Sequence, residues 1–224
     1  MKTVGILGGM GPEATAQLYL EIIKIFRQRY GAKYDSDYPE IFILNLPLPD
    51  VVEEKGSQDA IIKILQEGVR KLELAGADFI AVACNTVMTF LPQMQKVVSI
   101  PFVSIVEETA VVVEKRGFNT VGIVATEMTL RTGLYSSAVF TKLIEPSSEQ
   151  RAQITQIIMR ILSGDKSEED RLRLRAIVED LQLRGADVVI LGCTELPLLF
   201  ADEKCLDTIK VLAEAVVREA IDIK

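Results

Sequence analysis

The chain contains no histidine and no tryptophan, and only three cysteines among 224 residues. Without histidine there can be no Ser-His-Asp or Cys-His nucleophile scheme and no His-rich zinc site. Proton chemistry near neutral pH then falls to another kind of side chain. Three cysteines, an odd number, do not make a disulfide framework. Positive charge is in deficit as well: 25 Lys and Arg stand against 32 Asp and Glu, a net charge of -7. That balance argues against nucleic acid or an anionic membrane surface as a partner. No apolar run reaches the roughly 20 residues that a membrane helix needs. The opening MKTVGILGG starts a strand at once, with no basic stretch and apolar core of a signal peptide, so a cytoplasmic setting is expected. What is present is a composition 49% hydrophobic and 25% charged, which excludes disorder and can bury a core.

Apolar stretches of strand length alternate with helical periodicity. Strands are predicted over 3–7, 41–44, 79–83, 102–105, 120–124, 142–145 and 188–191. Helices are predicted over 12–30, 58–75, 131–140, 148–162, 168–184 and 209–221. Leu18, Ile22, Ile25 and Phe26 share one face of the first helix, and Ile62, Leu65, Val69 and Leu72 one face of the second. Gly31 and Gly76 stand at their ends as natural stops. Ser167 with Asp170 three residues later marks another helix start. Strands this apolar, separated by helices, imply parallel sheets covered on both faces.

A repeat runs through this order. LELAGADFIAVACNT (72–86) matches LQLRGADVVILGCTE (181–195), pairing Leu72 with Leu181, Gly76 with Gly185, Asp78 with Asp187 and Cys84 with Cys193. The offset is constant: 193 − 84 and 187 − 78 both give 109. TVGILGG from Thr3 is echoed by TVGIVAT from Thr120. The expected architecture is therefore α/β: two pseudo-symmetric three-layer α/β domains with mainly parallel sheets facing one cleft. In such sheets a ligand binds beyond the carboxyl ends of the strands, where both thiols would lie. Two facing halves would put Cys84 and Cys193 on opposite walls. The alternatives are a twice-repeated packing cysteine, a disulfide between the two, or a zinc site, for which two thiols without histidine fall short. Cys205 has no counterpart in the repeat and reads as structural.

A thiol with a pKa near ~8.5 is the remaining group suited to proton transfer around neutrality. Asn85-Thr86 and Thr194-Glu195 read as helix openings, and a helix N-terminus would lower the pKa of the thiol before it. One thiolate can remove a proton from one face of a carbon while the opposite thiol delivers one to the other face, inverting the centre. A carbanion beside a carboxylate needs donors aimed at the carboxylate oxygens, and the small polar residues after each cysteine are candidates.

GGMGPEAT (8–15), ACNT (83–86), the ATEMTLRTGLY segment from Ala125 and GCTE (192–195) together resemble the cofactor-independent aspartate/glutamate racemase family, over nearly the whole chain. The resemblance implies a homodimer acting on a small-molecule amino acid, with no cofactor and no metal. It implies Cys84 and Cys193 as the catalytic acid-base pair, Asn85, Thr86 and Thr194 as substrate-binding residues, and Met10 on the cleft wall. It further implies that the last helix, from about Thr208, packs with the first half, giving domains of 1–101 plus 208–224 and of 102–207. Three positions depart from the family. Val51 follows Pro49-Asp50 where an arginine commonly grips the side-chain carboxylate. Leu162 falls where a lysine is often found, and Met88 replaces the histidine of ACNTxH. Valine cannot imitate a bidentate arginine, so a less acidic substrate is an alternative, tested by placing arginine at 51 and assaying aspartate. Arg131 is a candidate for the missing charge, with a surface or structural role as its alternative.

Three rival readings remain. GGMGPEA contains G-x-G-x-x-A at Gly9, Gly11 and Ala14, a loose dinucleotide fingerprint, but it places Glu13 beside the pyrophosphate and lacks an acidic ribose partner. A non-catalytic small-acid binding module would share the fold but would not need a thiol at both strand ends. An isomerase, decarboxylase or other racemase acting on a different acid is the third.

Overall fold

The computed structural model describes residues 1–49, 57–139 and 141–221. In chain order the first elements are β1 (Val4–Gly8), α1 (Pro12–Tyr30), β2 (Ile41–Asn45), α2 (Gln58–Ala75), β3 (Phe79–Val82), α3 (Leu91–Gln95), β4 (Phe102–Val103) and α4 (Ile105–Lys115). There follow β5 (Thr120–Val124), α5 (Glu127–Arg131), α6 (Leu134–Ala138), β6 (Lys142–Ile144), α7 (Ser148–Leu162), α8 (Glu168–Leu183), β7 (Val188–Leu191), β8 (Cys205–Asp207) and α9 (Thr208–Ile221). The strands form two sheets of the same order, β2-β1-β3-β4 and β6-β5-β7-β8, with every pairing parallel.

The internal repeat has a physical cause in the way each helix approaches its sheet. A Cβ on Gly5 of β1 would lie 3.4 Å from the Leu72 Cβ of α2, and one on Gly122 of β5 would lie 3.1 Å from the Leu181 Cβ of α8. Both helices stop at a glycine in the left-handed region, Gly76 (φ 100°) and Gly185 (φ 99°), where a side chain would be strained. The aspartate two residues on then ties the next strand to its neighbour. Asp78 accepts the Thr3 N–H at 2.6 Å, and Asp187 accepts the N–H groups of Asn119 and Thr120 at 2.9 Å. Gly-Ala-Asp is thus a stop, a spacer and a register pin in both halves.

Alternation along the strands distributes the core. Val121, Ile123, Val188 and Ile190 join the large cluster that fills the first half and surrounds α9, while Val124, Val189 and Leu191 face the cluster built on α7 and α8. The α9 helix packs on α1 and α4, and the Lys2 N–H donates to the Ala220 carbonyl at 2.8 Å.

Three segments differ from the sequence expectation. Only Phe102–Val103 of the strand predicted over 102–105 is extended, and it pairs with β3 in the first sheet, just past the boundary placed at 101. Ser104 then caps α4 by accepting the Glu107 N–H, so the helix begins with no loop to announce it. The helix predicted over 131–140 is two short helices, because Gly133 adopts φ 65° between them. Cys205, read simply as structural, lies in β8, a three-residue edge strand that the pattern did not reveal.

Candidate active site

In each sheet the first strand sits beside the third, and the connections from them leave to opposite sides, opening a crevice at their carboxyl ends. The two crevices meet in one cavity of about 190 Å³. Its walls are the turn after β1 (Gly9, Met10, Gly11, Pro12), Leu48 and Pro49 after β2, and Cys84, Asn85 and Thr86 after β3. The second half supplies Thr126 after β5, Leu162 at the end of α7, and Cys193, Thr194 and Glu195 after β7. All six residues read from the sequence as catalytic or substrate-binding therefore line one space. Met88 does not; it is buried in the core. Arg131 is exposed at the end of α5, away from the lining. Val51 lies outside the described residues.

The turn after β1 is shaped by its glycines. Gly9 has φ 93°, and a Cβ there would meet the Leu46 backbone nitrogen at 2.6 Å. The Thr15 hydroxyl accepts the Gly9 N–H at 2.9 Å and donates to the Gly11 carbonyl at 3.0 Å, folding the loop back onto α1. The Gly11 N–H, at the start of α1, points to the second half and donates to Glu195 Oε1 at 2.9 Å. A carboxylate of the chain itself thus occupies the anion position that a dinucleotide pyrophosphate would use.

The two thiols have different surroundings. Cys84 is met by hydrogen-bond donors, the N–H groups of Thr86 and Val87 and the Thr86 hydroxyl. Thr86 Oγ1 lies 3.1 Å from both Thr126 Oγ1 and Thr129 Oγ1, which are 2.9 Å apart, a ring of hydroxyls that crosses between the halves. Cys193 instead donates to Glu195 Oε2 at 3.0 Å, as does the Thr194 hydroxyl at 3.0 Å. Asn85 is anchored: its Oδ1 accepts from the Tyr135 hydroxyl at 2.6 Å, and its Nδ2 donates to Thr208 Oγ1 at 3.2 Å. Of its two amide protons, one remains for the cleft.

Electrostatics overturn one expectation. The residues after the cysteines form short 3-10 helices, Thr86–Phe90 and Leu196–Leu198, rather than long α-helices. Burial pushes the Cys84 thiol up to about 12, and the Glu195 charge adds to this; the surrounding donors only partly oppose it. Cys193 is raised well above the ordinary thiol value by burial, by the Glu195 charge and by its hydrogen bond to that carboxylate. Loss of hydration outweighs a single turn of peptide dipoles. Both are free thiols. Among the described residues, no group of three or more Cys, Asp or Glu is placed to hold a metal ion.

Glu195 is the site residue that sequence reasoning missed, although a signal existed. The repeat pairs it with Thr86, so it is the one carboxylate within two residues of either repeated cysteine.

The chain is a pseudo-symmetric α/β protein with a buried thiol from each half in a shared cleft, and comparison with known proteins gives its class. Residues 7–216 match the family model described as Asp/Glu/Hydantoin racemase, and the chain belongs to that family. It is accordingly an isomerase of the racemase type. It is 30% identical over 196 residues to the broad specificity amino-acid racemase RacX of Bacillus subtilis (strain 168), covering 86% of this chain and 85% of that one. It is 31% identical over 147 residues to a glutamate racemase of Deinococcus radiodurans, covering 64% of this chain and half of the relative's length. Among solved structures it resembles an aspartate racemase homologue from Pyrococcus horikoshii OT3, with TM-score 0.80, 28% identity and coverage of 99% and 100%. The aspartate racemase of Picrophilus torridus superposes with TM-score 0.84 at 25% identity, covering 98% of this chain and 94% of that one.

Proposed function

We propose that this chain is a cofactor-independent amino-acid racemase in which Cys84 and Cys193 exchange protons with opposite faces of the substrate Cα. The observation that carries this reading is the placement of two sequence-equivalent thiols, from equivalent strand ends, in the lining of one 190 Å³ cavity. One thiolate takes the Cα proton, and the opposite thiol returns a proton to the other face. The second amide proton of Asn85 is the donor for the substrate carboxylate as charge develops there, and Thr86 and Thr194, whose hydroxyl protons serve Cys84 and Glu195, shape the wall that receives the substrate beside it. Met10, Leu48 and Leu162 give the rest of the wall an apolar character suited to an uncharged side chain. A homodimer working in the cytoplasm belongs to the same reading.

The test is deuterium exchange at Cα, followed by NMR, with L- and D-amino acids of acidic, polar and apolar side chain in D2O and no added cofactor. Exchange with loss of optical activity is the expected result for the wild type, and the loss of optical activity is expected to disappear in both Cys84→Ser and Cys193→Ser. Silence across the panel refutes the proposal.

A further inference from the structure

Building on the two-thiol reading, we infer that Glu195 is a positioning residue that makes Cys193 the resting base of the pair, by accepting the Cys193 thiol proton and later releasing it. All the hydrogen-bond partners placed on its carboxylate are donors: the Gly11 N–H on Oε1, and the Cys193 thiol and Thr194 hydroxyl on Oε2. The carboxylate is thus the common acceptor of three hydrogens, one of them on the Cys193 sulfur. It is also 4% exposed, so its negative charge is held inside the cleft. On the opposite wall the repeat places Thr86 at the matching position; the hydrogen-bond partners of Cys84 are the Thr86 hydroxyl and the N–H groups of Thr86 and Val87, none of which is a base, and Glu195 reaches this thiol only through its charge. The reaction needs one base and one acid at the start. The base equivalent is stored beside Cys193, and Cys84 keeps its own proton.

The steps balance as follows. The proton on Cys193 Sγ passes to Glu195 Oε2, leaving a thiolate and a neutral carboxyl. The thiolate takes the Cα proton, and the electron pair of the broken C–H bond spreads into the substrate carboxylate. Cys84 then gives its proton to the other face of Cα and becomes a thiolate. Loss of the proton from Glu195 and gain of one by Cys84, through solvent once product has left, restores the resting state.

Net racemisation hides this asymmetry, because an equilibrium constant of one forces equal efficiency in both directions. Single-thiol variants expose it. In D2O, Cys84→Ser retains Cys193 and exchanges Cα–H of one enantiomer without inversion; Cys193→Ser exchanges the other. Adding Glu195→Gln is expected to lower the Cys193-driven exchange by about 100-fold or more, the usual contribution of a general base, with a far smaller effect on the Cys84-driven exchange. Glu195→Asp in the same backgrounds should restore part of the loss, and it carries the test if the amide, which cannot accept on both atoms, impairs folding. Equal losses in the two backgrounds, or no loss in either, overturn the inference. If the wild-type protein exchanges no amino acid, the racemase reading itself falls; if it exchanges but the asymmetry is missing, only the role of Glu195 does.

Discussion

Deleting one oxygen atom, in Tyr135→Phe, tests whether the polar network behind Cys84 holds the two halves in register. Tyr135 is 1% exposed, and its hydroxyl donates to Asn85 Oδ1 at 2.6 Å. Phenylalanine keeps the ring and its packing, so the cavity contribution is small. What is lost is the donor to a buried amide oxygen, at about 1–3 kcal/mol. In a chain of this size each kcal/mol shifts Tm by about 2–4 °C, so a central loss of about 2 kcal/mol lowers Tm by about 4–8 °C. Tyr34→Phe, at an exposed position, is the control and should melt like the wild type. The same change should also lower kcat for Cα exchange, because Asn85 adjoins Cys84 and its second tether, Thr208, comes from α9. Thr208→Val combined with Tyr135→Phe should cost less than the sum of the two, since both act on one side chain. Thermal melts and NMR exchange rates provide the readouts. A Tyr135→Phe protein with the Tm and exchange rate of the Tyr34→Phe control would refute the reasoning.

Further outcomes are expected. Gly9→Ala should largely abolish folding, because its Cβ would lie 2.6 Å from backbone at φ 93°; Gly185→Ala, at φ 99° with nothing within 4 Å, should cost only the strain of about 1–2 kcal/mol, and urea melts separate the two. Arg160→Ala removes two 2.5 Å bonds from the Asp170 carboxylate, which is 2% exposed and keeps Ser167 and the more distant Arg173, so a loss of about 1–3 kcal/mol is expected in the same assay. The Arg160 hydrogen bonds hold the Asp170 carboxyl below the usual carboxylate range, so their stabilisation is complete above about pH 4 and is lost as pH falls through the lowered value. The thiols act in the opposite direction. Burial raises Cys84 to about 12 and raises Cys193 as well, so their contribution is complete below the unfolded thiol value near ~8.5 and is lost as pH climbs beyond it, visible as a falling Tm in alkaline buffers.

The helices with clear punctuation were legible in the sequence. Residues 12–30, 58–75 and 148–162 form helices with those bounds, because Pro12, Gly31, Ser57, Gly76 and Ser147 each do at the terminus what their chemistry favours. The α4 helix was not legible, since its cap at Ser104 follows β4 directly with no loop between them. At the site, the thiols were visible through the repeat. Their titration was not, because it depends on a buried carboxylate and on lost hydration, and neither leaves a periodic trace. Leu162 was named only as the position where the family often has a lysine, and it lines the cleft: its Cδ2 would lie 2.8 Å from a Cβ on Gly11.

The departure from symmetry at positions 86 and 195 has a consequence for how such a catalyst can be built. Two copies of one half, assembled around a two-fold axis, would carry the same neighbour beside each thiol: threonine on both walls or glutamate on both. The first arrangement has no carboxylate beside either thiol, and the second buries two like charges in one small cavity. Covalent fusion of the halves removes that constraint, since each wall can then be altered alone. The 109-residue spacing is therefore more than a record of similarity; it lets one polypeptide keep two thiols in equivalent places while giving each a different neighbour.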